Sequence, residues 1–138
     1  MNSPWPRIRL AVAGGGTGGH LFPALAVVRE LRRRCPPCTV LFINAGRPLE
    51  RRVLRREGYP SRTIWTAGIK GRRRGQQLAA AARIPVAIVQ SAAALRTFRA
   101  QLVLAVGGYA AGPAAVAAWL LGIPVVLHEQ NLLPGVTN

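Results

Sequence analysis

The 138-residue chain predicts one α/β domain, a parallel, doubly wound sheet with helices on both faces. Three observations predict it. Short apolar runs alternate with amphipathic or alanine-rich stretches along the chain, the order of a βαβ series. Half the residues are apolar, which at this length supports a core and excludes a disordered chain. Two glycine-dense turns, residues 14–19 and 107–112, fall at strand-to-helix junctions, and sheets of this class bind ligands beyond the carboxyl ends of their strands.

Each element follows from its own pattern. Residues 8–13 are apolar apart from Arg9 and read as a buried strand. Residues 22–34 read as a helix, with Leu25, Val28 and Leu31 on one face and arginines on the other. Residues 39–44 form a second strand. Residues 49–57 form a short, strongly basic helix stopped by Gly58 and Pro60. A weak third strand covers 63–65, and 68–75 is a loop carrying Arg72, Arg73 and Arg74. Residues 77–99 are helical, interrupted near Pro85. Residues 102–106 are another buried strand. Residues 114–121 are a helix with Pro113 in its first turn, and 124–129 are a last strand.

Composition narrows the partners. There are 18 Arg, 1 Lys, 4 Glu and no Asp, for a formal net charge of +15, and no Lys or Arg follows Arg99. Such an excess favours polyanions: nucleic acid, anionic lipid or phosphorylated substrates. Solvated arginines of a biased composition give the same count. Arg7 and Arg9 precede an apolar run that glycines soon interrupt, so no signal peptide is expected. Residues 102–127 are uncharged and long enough to span a bilayer, but Gly107, Gly108, Gly112, Pro113, Gly122 and Pro124 break them into shorter pieces. Cys35-Pro36-Pro37-Cys38 matches C-x-x-C. Its prolines follow a helix and precede a strand, and no second pair completes a zinc set, so it reads as a helix stop with reduced thiols.

The chemistry concentrates in three segments. Gly14-Gly15-Gly16-Thr17-Gly18-Gly19-His20 opens a helix. Glycine lets backbone amides approach an anion closely, and the helix start adds free N–H groups. Gly14, Gly16 and Gly19 match the dinucleotide fingerprint, yet that reading expects an acid at the end of the second strand, where Asn44-Ala45-Gly46 stands. A phosphate-binding P-loop fails too, because His20 and Leu21 occupy the positions of Lys and Ser/Thr. A tight structural turn is the plain alternative. His20 is the side chain there able to move a proton near neutral pH, and its neutral imidazole is a candidate general base. Gly107-Gly108-Tyr109-Ala110-Ala111-Gly112-Pro113 is a second such junction, suited to another anion or sugar or to packing alone. His128-Glu129-Gln130-Asn131 puts four polar residues after a buried strand.

Together these motifs, with residues 20–26 and Gly122-Ile123-Pro124 through Pro134-Gly135-Val136-Thr137-Asn138, resemble the MurG family of N-acetylglucosaminyltransferases. Glu50 and residues 67–71 fit the family pattern, and 51–56 are more basic than it. The resemblance covers essentially the whole chain. It implies a Rossmann-like domain, the N-terminal, acceptor-side half of a GT-B enzyme. Residues 1–138 would be that domain, incomplete at its C-terminus, with the C-terminal donor domain absent and the fragment inactive alone. The implied reaction is inverting transfer of GlcNAc from UDP-GlcNAc to the MurNAc C4 hydroxyl of lipid I, giving lipid II for peptidoglycan.

By position, the resemblance makes His20 the catalytic base and Glu129 an acceptor-orienting residue or the alternative base. Thr17, Gly18, Gly19 and Asn131 would meet the donor. Gly14, Gly15, Gly16, Gly107, Gly108, Tyr109 and Gly112 would cradle the acceptor diphosphate. No cofactor and no metal are expected, in keeping with the lack of Asp. A lipid substrate implies a peripheral site on the cytoplasmic face of the bacterial plasma membrane. Leu78, Ile84, Val86, Ile88, Val89 and Trp119, ringed by Arg72, Arg73, Arg74, Arg83 and Arg96, would form the patch that meets anionic lipid. Two other functions compete. A dinucleotide-binding domain lacks its acid, and a basic nucleic-acid module lacks aromatic residues among its arginines, so no nucleic acid is expected.

Overall fold

The computed structural model describes residues 6–66 and 74–129. Among the described residues, five strands and five helices follow in the order β1 (Arg9–Gly15), α1 (Gly18–Arg34), β2 (Thr39–Asn44), α2 (Pro48–Arg56), β3 (Ser61–Thr63), α3 (Arg74–Ala82), α4 (Ile84–Phe98), β4 (Leu102–Gly108), α5 (Ala111–Leu120) and β5 (Val125–Leu127). The strands form one parallel sheet in the order β3-β2-β1-β4-β5. The chain steps outward from β1 to β3, then returns across the sheet to place β4 on the other side of β1. That reversal opens a crevice at the carboxyl ends of β1 and β4.

Strand alternation separates two cores. Leu10 and Val12 of β1 pack with Leu21, Leu25 and Val28 of α1, Phe42 of β2, Leu54 of α2 and Val106 of β4. Ala11 and Ala13 face the other way, toward Ala87 and Leu95 of α4 and Ala114, Ala117 and Ala118 of α5. Small side chains on both α5 and β1 let that helix lie close to the sheet. Leu95 is fully buried, and cutting it to alanine should cost about 2–5 kcal/mol. Together α3 and α4 are long and apolar enough, by length and composition, to cross a membrane. However, α4 buries Ala87, Ser91, Ala94 and Leu95 as a helix packed on a core does.

The boundaries depart from the sequence reading where glycine is involved. β1 and β4 run on through their first glycines, and α1 starts at Gly18 rather than residue 22. β3 is Ser61–Thr63, earlier than expected, because Phe42, Ile43 and Asn44 of β2 set its register. β5 is confined to three residues, and α5 begins at Ala111 with buried Pro113 in its first turn. The helix break expected near Pro85 falls at Arg83, where Pro85 is accommodated in the first turn of α4. The Cys35-to-Cys38 segment does end α1, and both thiols are free and buried. Of the loop expected over 68–75, residues 68–73 lie outside the described residues, and α3 has begun by Arg74.

Candidate active site

The two glycine turns interlock. β1 and β4 pair with Ala13 opposite Ala105 and then Gly15 opposite Gly108, so β4 carries one extra residue at this point. Such a bulge re-aims the backbone at the end of a strand. It brings Gly108 so close to Gly15 that a Cβ on Gly108 would fall on the Gly15 carbonyl oxygen. Gly14 abuts the Gly107 carbonyl in the same way. Only Gly16 and Thr17 remain between β1 and α1.

His20 lies in the first turn of α1, half-buried. Its Nδ1 is 3.0 Å from the Thr17 hydroxyl oxygen. The opposite edge of the ring lies against Gly107, where a Cβ would meet Nε2 at 3.0 Å and Cδ2 at 2.7 Å. Gly107 is therefore the space the imidazole occupies. With the ring proton on Nδ1 and donated to Thr17, Nε2 carries a lone pair and can accept a proton. The His20 and Leu21 amides both donate to the Thr17 carbonyl. A helix start leaves the preceding amides, those of Gly18 and Gly19, outside the intrahelical ladder and available to an anion.

The second turn closes the other side. The Tyr109 ring stands beside Gly16, where a Cβ would be 3.3 Å from it. The Arg47 guanidinium lies 5.3 Å from the centre of that ring, and the Thr66 hydroxyl donates to the Tyr109 carbonyl at 3.0 Å. Gly112 sits half-buried in the first turn of α5.

The third segment reaches the same edge. The register of β4 and β5 pairs Ala105 with Leu127, and the His128 amide donates to the Ala105 carbonyl at 2.8 Å. Half-buried Glu129 follows two residues after the end of β5. The His128 Nδ1 is buried with no hydrogen-bond partner among the described residues. Asn131 lies outside the described residues.

Glu50, which fits the family pattern but carries no assigned role in the sequence, is a site residue. It is 1% exposed, in the first turn of α2. Oε1 accepts from the Gly16 amide, and Oε2 accepts from the Arg47 amide at 2.7 Å. Its signal in the sequence was weak: one acid amid Arg47, Arg51, Arg52, Arg55 and Arg56, just after a proline that can start a helix. The described residues contain no group of three or more His, Cys, Asp or Glu placed to hold a metal ion.

The apolar residues named for a membrane face lie on the α3–α5 side. Leu78, Val89 and Trp119 are 73%, 68% and 75% exposed, and Ile84 and Val86 are partly so. Val116 and Leu120 extend the exposed side of α5. Ile88 differs: it is half-buried and packs against the cluster between α4 and α5. Arg83 stacks over Trp65 at 4.7 Å, Arg74 and Arg96 are exposed, and Arg72 and Arg73 lie outside the described residues. The basic outer side of α2 belongs to the opposite face of the sheet, beside α1.

With this geometry in hand, comparison with known proteins is decisive for the family. Residues 10–138 match the model of the glycosyltransferase family 28 N-terminal domain. The chain belongs to that family. Curated relatives include the UDP-N-acetylglucosamine–N-acetylmuramyl-(pentapeptide) pyrophosphoryl-undecaprenol N-acetylglucosamine transferases of Syntrophus aciditrophicus, 44% identical, and Bacillus subtilis, 40% identical. Each alignment covers 95% of this chain and 36% of the relative. The chain thus spans little more than a third of their length. The crystal structure of Acinetobacter baumannii MurG superposes with a TM-score of 0.80 at 37% identity, over 96% of this chain and 38% of that one. A kitacinnamycin glycosyltransferase, at 24% identity and a TM-score of 0.67 over 90% of this chain and 31% of its own, shares the fold. The family 28 domain here is therefore a Rossmann-like parallel sheet with the fold of the matching part of MurG, as the resemblance implied.

Proposed function

We propose that this domain is the acceptor-side half of an inverting transferase that moves GlcNAc from UDP-GlcNAc to the MurNAc C4 hydroxyl of lipid I, forming the β1→4 link of lipid II. The observation that carries the reading is the meeting of His20 with Gly107, which joins a proton acceptor to two amide-rich turns in one crevice. The family 28 membership and the relatives' names supply the substrates. The part of those relatives beyond this domain would complete the cleft and hold most of the donor.

In the proposed step the C4 hydroxyl gives its proton to His20 Nε2 as its oxygen bonds to the sugar's C1. The bond from C1 to the phosphate oxygen breaks on the opposite face, and UDP leaves with the electron pair. Thr17 holds the imidazole. Thr17, Gly18, Gly19 and Asn131 would face the donor, while the turns of Gly14–Gly16 and Gly107–Gly112 would take the acceptor diphosphate, with the Gly16 amide excepted because Glu50 already holds it. Glu129 would orient the acceptor and is the alternative base. The step as written uses no metal or cofactor. The exposed side of α3–α5, with Leu78, Ile84 and Trp119, would rest on the anionic cytoplasmic leaflet of the plasma membrane, assisted by Arg74, Arg83 and Arg96.

The test uses full-length enzyme with labelled UDP-GlcNAc and a lipid I analogue. His20→Ala should lower kcat roughly 10²- to 10⁴-fold, as loss of a general base does, with UDP-GlcNAc affinity nearly unchanged. Equal losses in turnover and donor binding would reject the base role. No transfer by the wild type would reject the transferase reading.

A further inference from the structure

We infer that Glu50 is a positioning residue for His20, acting through the first glycine turn. The inference rests on the transferase reading for its kinetic consequence, but the contact itself stands on geometry. Glu50 is buried, and its two carboxylate oxygens take two backbone amides from different elements: Gly16 at the end of β1 and Arg47 at the start of α2. Oε1 occupies the volume where a side chain on residue 15 would begin, and the φ of +120° at Gly15 also calls for glycine there. The peptide that Glu50 holds leads directly into Thr17, whose hydroxyl and carbonyl grip the His20 ring and the first turn of α1.

The far side of the same tie reaches the second turn. Arg47, whose amide Glu50 anchors, lays its guanidinium over Tyr109, and Tyr109 rests on Gly16. One carboxylate thereby joins α2, the Gly16 peptide and, through Arg47, the wall opposite His20. A charged acceptor is suited to this work. It binds backbone N–H groups more strongly than a neutral one, and a buried carboxylate left without donors is costly, so the arrangement is all or none. Glutamine keeps the shape but can supply only one carbonyl oxygen for two amides. Aspartate keeps the charge but is one methylene too short to span both.

Two readouts on full-length enzyme decide this. The first is the ¹⁵N–¹H resonance of Gly16. In the wild type it should lie well downfield, as an amide donating to a carboxylate does, and Glu50→Gln should move it upfield. The second is kinetic, measured per folded molecule by circular dichroism at a temperature where both proteins are native. Glu50→Gln should lower kcat about 10- to 100-fold, the scale expected when a catalytic group is displaced by about 1 Å. KM for UDP-GlcNAc should stay within about threefold and the acid limb of the pH–rate profile should stay in place, as the base is still His20. Glu50→Asp, which keeps the charge at the wrong reach, should fall below Glu50→Gln if geometry governs. A Glu50→Gln enzyme with wild-type kcat per folded molecule, or a Gly16 resonance that does not move, would overturn the inference. An inactive wild type would overturn the transferase reading, and the Gly16 resonance would still decide the tie.

Discussion

Gly108→Ala tests the interlocked glycine turns directly. Gly108 has φ +84°, a backbone conformation that costs an L-residue about 1–2 kcal/mol. Its new Cβ would clash severely with the Gly15 carbonyl oxygen and lie 2.9 Å from the carbonyl carbon and 3.1 Å from the nitrogen of that residue. These are backbone atoms of a paired strand, so relief requires moving β1 from β4, an overpacking cost of about 1–3 kcal/mol. The sum is about 2–5 kcal/mol, a large part of the ~5–15 kcal/mol that holds a domain together. Gly58→Ala is the matched control: φ is +72° there, but nothing stands within 4 Å of the added Cβ. It should lose only the conformational part, about 1–2 kcal/mol. Thermal melts followed by circular dichroism should place Gly108→Ala below Gly58→Ala, by roughly 3–5 °C for each kcal/mol of the difference at this chain length. If Gly108→Ala melts as high as Gly58→Ala, the two turns do not touch as described.

Other outcomes follow from the same structure. Arg33 and Arg34 hydrogen-bond Glu30 and hold its carboxyl at about 2, below the ordinary 4.5. Its contribution is present above pH 4.5 and is lost as pH falls through about 2; carboxyl ¹³C titration of an R33A/R34A double variant should show the midpoint returning toward 4.5, and an unmoved midpoint would refute the pairing. Burial pushes the Cys38 thiol up, with Cys35 adding to the shift and Arg32 opposing it, so a thiol-reactive disulfide should label the native chain slowly at pH 8 and rapidly in urea. Labelling at the same rate in both would be inconsistent with buried thiols. Replacing Leu78 with Asp or Trp119 with Ser should weaken binding to vesicles containing anionic lipid by roughly 5- to 30-fold each, the worth of about 1–2 kcal/mol of apolar burial. Unchanged partitioning would remove the membrane role of that face.

Much of the architecture was legible because buried parallel strands announce themselves. Residues 40–43 are a continuous apolar run at the centre of β2, whose limits Thr39–Asn44 are those the sequence predicts, and the proline near 85 marks the change from α3 to α4. Boundaries at glycine were misjudged for one reason. Glycine reads as a breaker, yet Gly14, Gly15, Gly107 and Gly108 continue the ladder because strand pairing compensates for their freedom. Ile88 illustrates a different limit. Its place between buried Ala87 and exposed Val89 leaves its side open, and only packing against the core cluster makes it half-buried.

The sequence by itself determined the composition of the site: which turns are bare enough for a phosphate, and that a histidine ends one of them. It also determined the alternation that makes the sheet parallel, since apolar periodicity is a local property. What only the tertiary structure decided is the company these residues keep. The order β3-β2-β1-β4-β5 sets β1 beside β4, and that adjacency presses His20 onto Gly107 and Tyr109 onto Gly16. Glu50 reads as one acid among arginines until α2 turns it inward beneath the first glycine turn. Contacts between segments far apart in the chain depend on how strands cross, which no local pattern of side chains encodes.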